Sequence, residues 1–135
     1  MKNYLLKALL ICSTPFVYGA LYGQQLLNPS KANEFVLEVY ADCPQYQNQD
    51  QINFATDYLQ RTRIHSVALG EYPECPLLSS AGRKDKCNPS MNYEPTTFTI
   101  ETFNPLKYHF NYYSTASSYY RVDGMPYIIE ILPKQ

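Results

Sequence analysis

His65 and His109 are the only histidines in the chain, and no other side chain titrates near neutral pH without a strong shift. Cysteines at 12, 43, 75 and 87 are the candidate nucleophiles. A thiol attacks as its thiolate, which needs a histidine or another cation beside it, and Cys43 with His65 or His109 would make such a pair. The same residues also read as one half-paired cysteine and two surface histidines. Glu71 and Glu74 resemble the carboxylate pairs that hydrolyse sugars, but twelve acids in one chain offer many such pairs by chance. There is no Gly-x-Ser-x-Gly elbow, glycine-rich phosphate loop or His-Glu-x-x-His run. The cysteines and histidines lack the two close pairs that a four-ligand zinc site takes. Asn28 and Asn88 precede proline and fail as glycosylation acceptors. The residue types thus nominate no catalytic set, no metal and no cofactor. An enzyme using a cysteine-histidine pair is the alternative to a binding or structural module.

The N-terminal residues decide which compartment those cysteines meet. Met1 to Lys7 carries two lysines and no acid, Ala8 to Tyr22 is mostly apolar, and small residues follow at Gly19, Ala20 and Gly23. That is the layout of a secretory signal peptide over 1–23, cleaved after Gly19 or after Gly23. An uncleaved anchor over residues 8–22 is the alternative, although that run is interrupted by Pro15 and falls short of the roughly 20 residues a bilayer requires. Lipid modification at Cys12 is disfavoured by bulky Ile11 just before it. Residues 24–135 then form a single exported domain, periplasmic or secreted, that meets a membrane only if the leader stays attached. Removing Lys2 and Lys7 moves the formal charge from −1 to −3. Such a chain repels phosphates, and its one basic cluster, Arg83-Lys84-Asp85-Lys86, reads as a solvated loop tip, so nucleic acid is not an expected partner.

In an oxidising compartment the three remaining cysteines allow one bridge and one thiol. Cys75 and Cys87 bracket a proline-rich stretch that otherwise has little to hold it, and closing so short a loop contributes about 3 kcal/mol in the chain-entropy picture. Cys75–Cys87 is the favoured pairing; Cys43 with either partner closes a longer loop.

Tyrosine is the unusual component: fourteen in the chain with no tryptophan, seven of them from Tyr93 to Tyr127. The stretch from Thr96 to Leu132 alternates aromatic and β-branched residues between turn signals, which predicts an antiparallel meander of four short strands. Asn104-Pro105-Leu106, Ser114 to Ser118 and Asp123-Gly124 are its turns, and the last is a strong hairpin signal. In that register Phe110 faces Val122 and Ile100, and Tyr108, Tyr112, Tyr120 and Tyr127 point inward. His109, Asn111, Tyr113, Tyr119 and Arg121 then share the outer face. Aromatic residues favour strands in any case, but tyrosine beside arginine is also a frequent contact composition. These five residues are the candidate binding patch for a protein or envelope partner.

Before the meander, Glu34 to Ala41 alternates like a half-buried strand, ended by Cys43-Pro44. Asp50 is placed to cap a short helix from about Gln51 to Gln60 with Ile52, Ala55 and Leu59 on its apolar face. A strand over Thr62 to Ala68 follows, then a long irregular connection from Gly70 to Tyr93. The expected fold is α+β, a C-terminal antiparallel β-meander on one short helix, with an all-β sandwich as the alternative.

Overall fold

The computed structural model describes residues 23–68, 74–82, 87–88 and 98–135. Residues 1–22 of the leader, Glu71 of the Glu71–Glu74 pair and the basic cluster at 83–86 lie outside them. An antiparallel sheet of four strands is backed by two helices, an α+β architecture of the expected class.

The chain enters at β1 (Gly23–Leu26), so Gly23, which the sequence places at the end of the leader, is the strand's first residue. Asn28 then caps a tight turn, its Oδ1 accepting from Ser30 N at 3.0 Å, with Pro29 in the first position. The turn runs straight into helix α1 (Ala32–Val39), where the sequence pattern predicts a strand. Both periods are present in these eight residues. The helical one prevails because Ala32, Phe35, Val36 and Val39, spaced i, i+3, i+4 and i+7, all become buried while Leu37 stays out at 45 % exposure. Pro29 and Asn28 also supply a ready helix start.

Helix α2 (Gln49–Gln60) begins two residues earlier than the sequence suggests. Asn48, not Asp50, is its cap, accepting from Gln51 N at 3.0 Å, and Asp50 instead places a carboxylate in the first turn where the helix dipole favours it. Ala55, Tyr58 and Leu59 form its buried face. No glycine stops it: Arg61 ends the helix, and the Thr62 hydroxyl donates to the Tyr58 carbonyl at 2.8 Å as the chain turns directly into β2 (Thr62–Ser66).

The last two strands are β3 (Ser118–Arg121) and β4 (Tyr127–Ile131), joined across Asp123-Gly124 as expected. Gly124 sits at φ +67°, the left-handed region where a side chain is strained. The sheet order is β1-β2-β4-β3. Its two central strands are β2 and β4, with Ile64 opposite Ile129 and Thr62 opposite Ile131. The three isoleucines face the helices and join Val36, Val39, Tyr58 and Leu59 in the core, with Thr62 buried on the same face.

The segment 98–113 supplies no strand, contrary to the predicted first half of the meander. In the predicted meander it would have flanked β3; among the described residues that side of β3 carries no strand, and it is the other side of β4 that gains a neighbour, β2, in a five-residue register. Asn104 and Pro105 start a short 3-10 turn instead, with Asn104 Oδ1 accepting from Leu106 N at 3.0 Å. The alternation nevertheless survives without a ladder. Tyr108 and Phe110 are buried and Tyr112 half-buried, whereas His109, Asn111 and Tyr113 face solvent. Side-chain packing holds the inward set: the Phe110 ring lies 4.5 Å from Tyr120 and 5.4 Å from Tyr108 between centroids. Backbone support comes from His109 N donating to Ala81 O at 2.7 Å and from Arg61 Nη1 donating to Tyr112 O at 2.9 Å.

The cysteine pairing is also corrected. Cys43 is bonded to Cys87, and Cys75 is a free thiol. Cys43 follows α1, where Asp42 N donates to Cys87 O at 2.8 Å and Asn88 Nδ2 donates to Glu38 O at 2.6 Å, which brings the two Cα atoms to 5.1 Å. Cys75 is held elsewhere, beside β3, by the bond from Arg121 N to Pro76 O at 2.9 Å. Proximity in sequence favoured Cys75–Cys87; proximity in space belongs to Cys43. The bridge spans 44 residues, for which chain entropy gives about 4 kcal/mol.

Candidate functional site

Side chains alternate across a strand, so the face of the sheet away from the helices can be read from the pairing. One row runs Leu26, Arg63, Glu130, Tyr119 and the next Gln24, His65, Ile128, Arg121. All four strands therefore contribute to one polar network centred on Glu130. His65 Nε2 lies 2.6 Å from Glu130 Oε2, with both side chains nearly buried. The Tyr119 hydroxyl donates to Glu130 Oε1 at 3.4 Å, with Ser117 beside the pair. With its amide carbonyl turned to the guanidinium, Gln24 accepts from Arg63 Nε and Nη1 at 2.9 and 3.1 Å.

The hydrogen bond from His65 holds the Glu130 carboxyl below its ordinary range, aided by the charges of His65 and Arg63 and opposed by burial. Burial, and then the Glu130 charge, push the Tyr119 hydroxyl up. An ionised Glu130 carboxylate only accepts, so His65 donates to it from Nε2; His65 Nδ1 is buried and has no hydrogen-bond partner among the described residues. The arrangement pins β2, β4 and β3 together through one carboxylate. Glu130 was not among the sequence-nominated residues. Only the pairing of β2 with β4, which brings Arg63 opposite it, makes its role visible.

The five patch residues separate into two sets. Tyr119 and Arg121 lie on this outer face. His109, Asn111 and Tyr113 are exposed on the segment ahead of β3, whose inward residues pack on the opposite, helix-bearing side through Tyr120. Tyr113 is 70 % exposed, and the Lys134 ammonium sits 5.2 Å from its ring centroid, a cation-π contact.

The cysteine-histidine alternative loses its nominated thiol, since Cys43 is in the disulfide. At Cys75 burial pushes the thiol up, with Arg121 acting in the opposite direction, so the environment works against a thiolate. Among the described residues no three His, Cys, Asp or Glu side chains converge to hold a metal ion, and no helix is long and apolar enough to cross a membrane. Neither protein-family models, curated proteins nor solved structures give a match to this chain.

Proposed function

We propose that this chain is an exported, disulfide-clamped binding module that docks a protein or envelope partner through the aromatic surface ahead of β3. The observation that carries the reading is Tyr113, left 70 % exposed under the Lys134 ammonium with His109 and Asn111 exposed at the alternate positions before it. A rigid ring with a polar tip beside a cation is the composition of contact hot spots. Tyr119 and Arg121 stand apart from this surface because the Glu130 network engages their face. Export is supported by the Cys43–Cys87 bond, which persists in oxidising compartments, together with the leader-like residues 1–23.

The test is site-specific photocrosslinking in the native exported compartment, with the photoreactive residue at position 113 or, as control, at the exposed Leu37 of α1. A discrete adduct from position 113 alone is expected, and it should disappear in Lys134→Glu. Absence of an adduct, or the same products from both positions, overturns the reading. Mass spectrometry of the exported chain should find Ala20 or Gln24 at the N-terminus; an intact Met1 overturns cleavage and favours the anchor.

A further inference from the structure

Residues 132–134 are fastened at both ends. Leu132 N donates to Arg61 O at 2.8 Å, Leu132 O accepts from Arg61 Nη1 at 3.3 Å, and Lys134 N donates to Ser114 O at 3.4 Å. Between this tail and the end of α2 lies a cleft of about 450 Å³, with Asp57, Arg61, Leu132, Pro133 and Lys134 in its walls. It adjoins the Tyr113 surface, because Lys134 both lines the cleft and stands 5.2 Å from that ring's centroid. Its ionisable side chains are two cations, Arg61 and Lys134, against one acid, Asp57, although the chain as a whole carries −1. The cations also keep donors in hand. Of the five N–H groups of a guanidinium, Arg61 gives Nε to Asp57 Oδ2 at 3.0 Å and Nη1 to the carbonyls of Tyr112 and Leu132, and its Nη2 has no acceptor among the described residues. Of the described lysines, Lys107 pairs with Glu38 and Lys31 donates to Glu101 O, whereas the exposed Lys134 ammonium meets the Tyr113 ring and no described oxygen.

Resting on the reading of Tyr113 as the contact surface, we propose that the docked partner is a protein segment that brings an Asp or Glu carboxylate into this cleft, against Lys134 and Arg61 Nη2, and lays an adjoining side chain on the Tyr113 ring. Hydrogen bonds between ionised groups are the strong ones, and across an interface they fix register as well as affinity. The charge balance selects the class of partner. A single carboxylate feels the two cations at short range, whereas a uniformly anionic layer such as phospholipid headgroups meets the field of the whole acidic chain and is repelled.

Photocrosslinking from position 113 in the native exported compartment, repeated in Lys134→Arg and Lys134→Gln, tests this. Lys134 is exposed, so neither change should move the melting temperature. Lys134→Arg keeps the cation and should keep the adduct; Lys134→Gln should lower its yield about tenfold, as for the loss of one hydrogen bond to a charged group. Peptide mapping should place the attachment beside an Asp or Glu of the partner. Changing that acid to its amide should lower the yield in the parent chain and have no further effect in Lys134→Gln, as for two halves of one contact. An adduct undiminished in Lys134→Gln, one lost equally in Lys134→Arg, or one formed on lipid or glycan overturns the carboxylate and leaves Tyr113 a contact surface. No adduct from position 113 overturns both.

Discussion

Truncating Phe110 to alanine isolates the claim that the segment ahead of β3 is held by its side chains rather than by a ladder. The ring is 6 % exposed and packs among Tyr58, Tyr108 and Tyr120, with centroids 6.5, 5.4 and 4.5 Å away. Removing it leaves a cavity next to Tyr58, which itself sits at 0 % exposure in the centre of the core. A buried Phe→Ala costs about 3 to 5 kcal/mol, much of a typical domain's total stability. Tyr113→Ala, three residues on, removes an exposed ring whose described contact is the Lys134 cation, and an exposed cation-π pair contributes about 0.5 to 1 kcal/mol. Urea denaturation of both variants at pH 7, with the Cys43–Cys87 bond intact, should therefore separate them by at least about 2 kcal/mol. Equal losses would refute the reasoning, because they would mean that both sides of the segment are covered. A large loss at Tyr113 alone would mean that the inward and outward sets are exchanged.

Non-reducing peptide mapping should recover Cys43 joined to Cys87 and Cys75 open to alkylation after unfolding, and removing the bridge by Cys43→Ser with Cys87→Ser should destabilise the domain by about 4 kcal/mol; a Cys75–Cys87 peptide would contradict the fold. Because Glu130 titrates below its ordinary range when folded, it adds stability above the unfolded carboxyl's pKa, and that contribution is lost as pH falls through the folded pKa. Glu130→Gln should cost about 1.5 to 3 kcal/mol at pH 7, the range for hydrogen bonds to charged groups, and much less at pH 2.5. Denaturant curves at the two pH values that show the same penalty would exclude a charge-dependent role.

Features that depend on a few neighbouring residues were legible in the sequence. Asp123-Gly124 specifies a turn with a residue at positive φ wherever it occurs, and the β3–β4 hairpin forms around it. The apolar spacing of Ala55 and Leu59 marks α2, and alternation from Tyr108 to Tyr113 sorts inward from outward residues even where no strand forms. At residues 32–39 local information runs out, since eight residues carry both a helical and a strand period. The choice there falls to which pattern buries more against α2 and the sheet. The four-residue β1 has no signal of its own and exists because β2 offers it an edge. Partner choice was decided by tertiary structure alone. Several segments have the composition to flank β4, and β2 prevails because α2 delivers it there without an intervening loop, its isoleucine opposite Ile129. The Glu130 network and the Cys43–Cys87 bond are consequences of that placement, joining residues 65 and 130, and 43 and 87, that only the assembled chain brings within bonding distance.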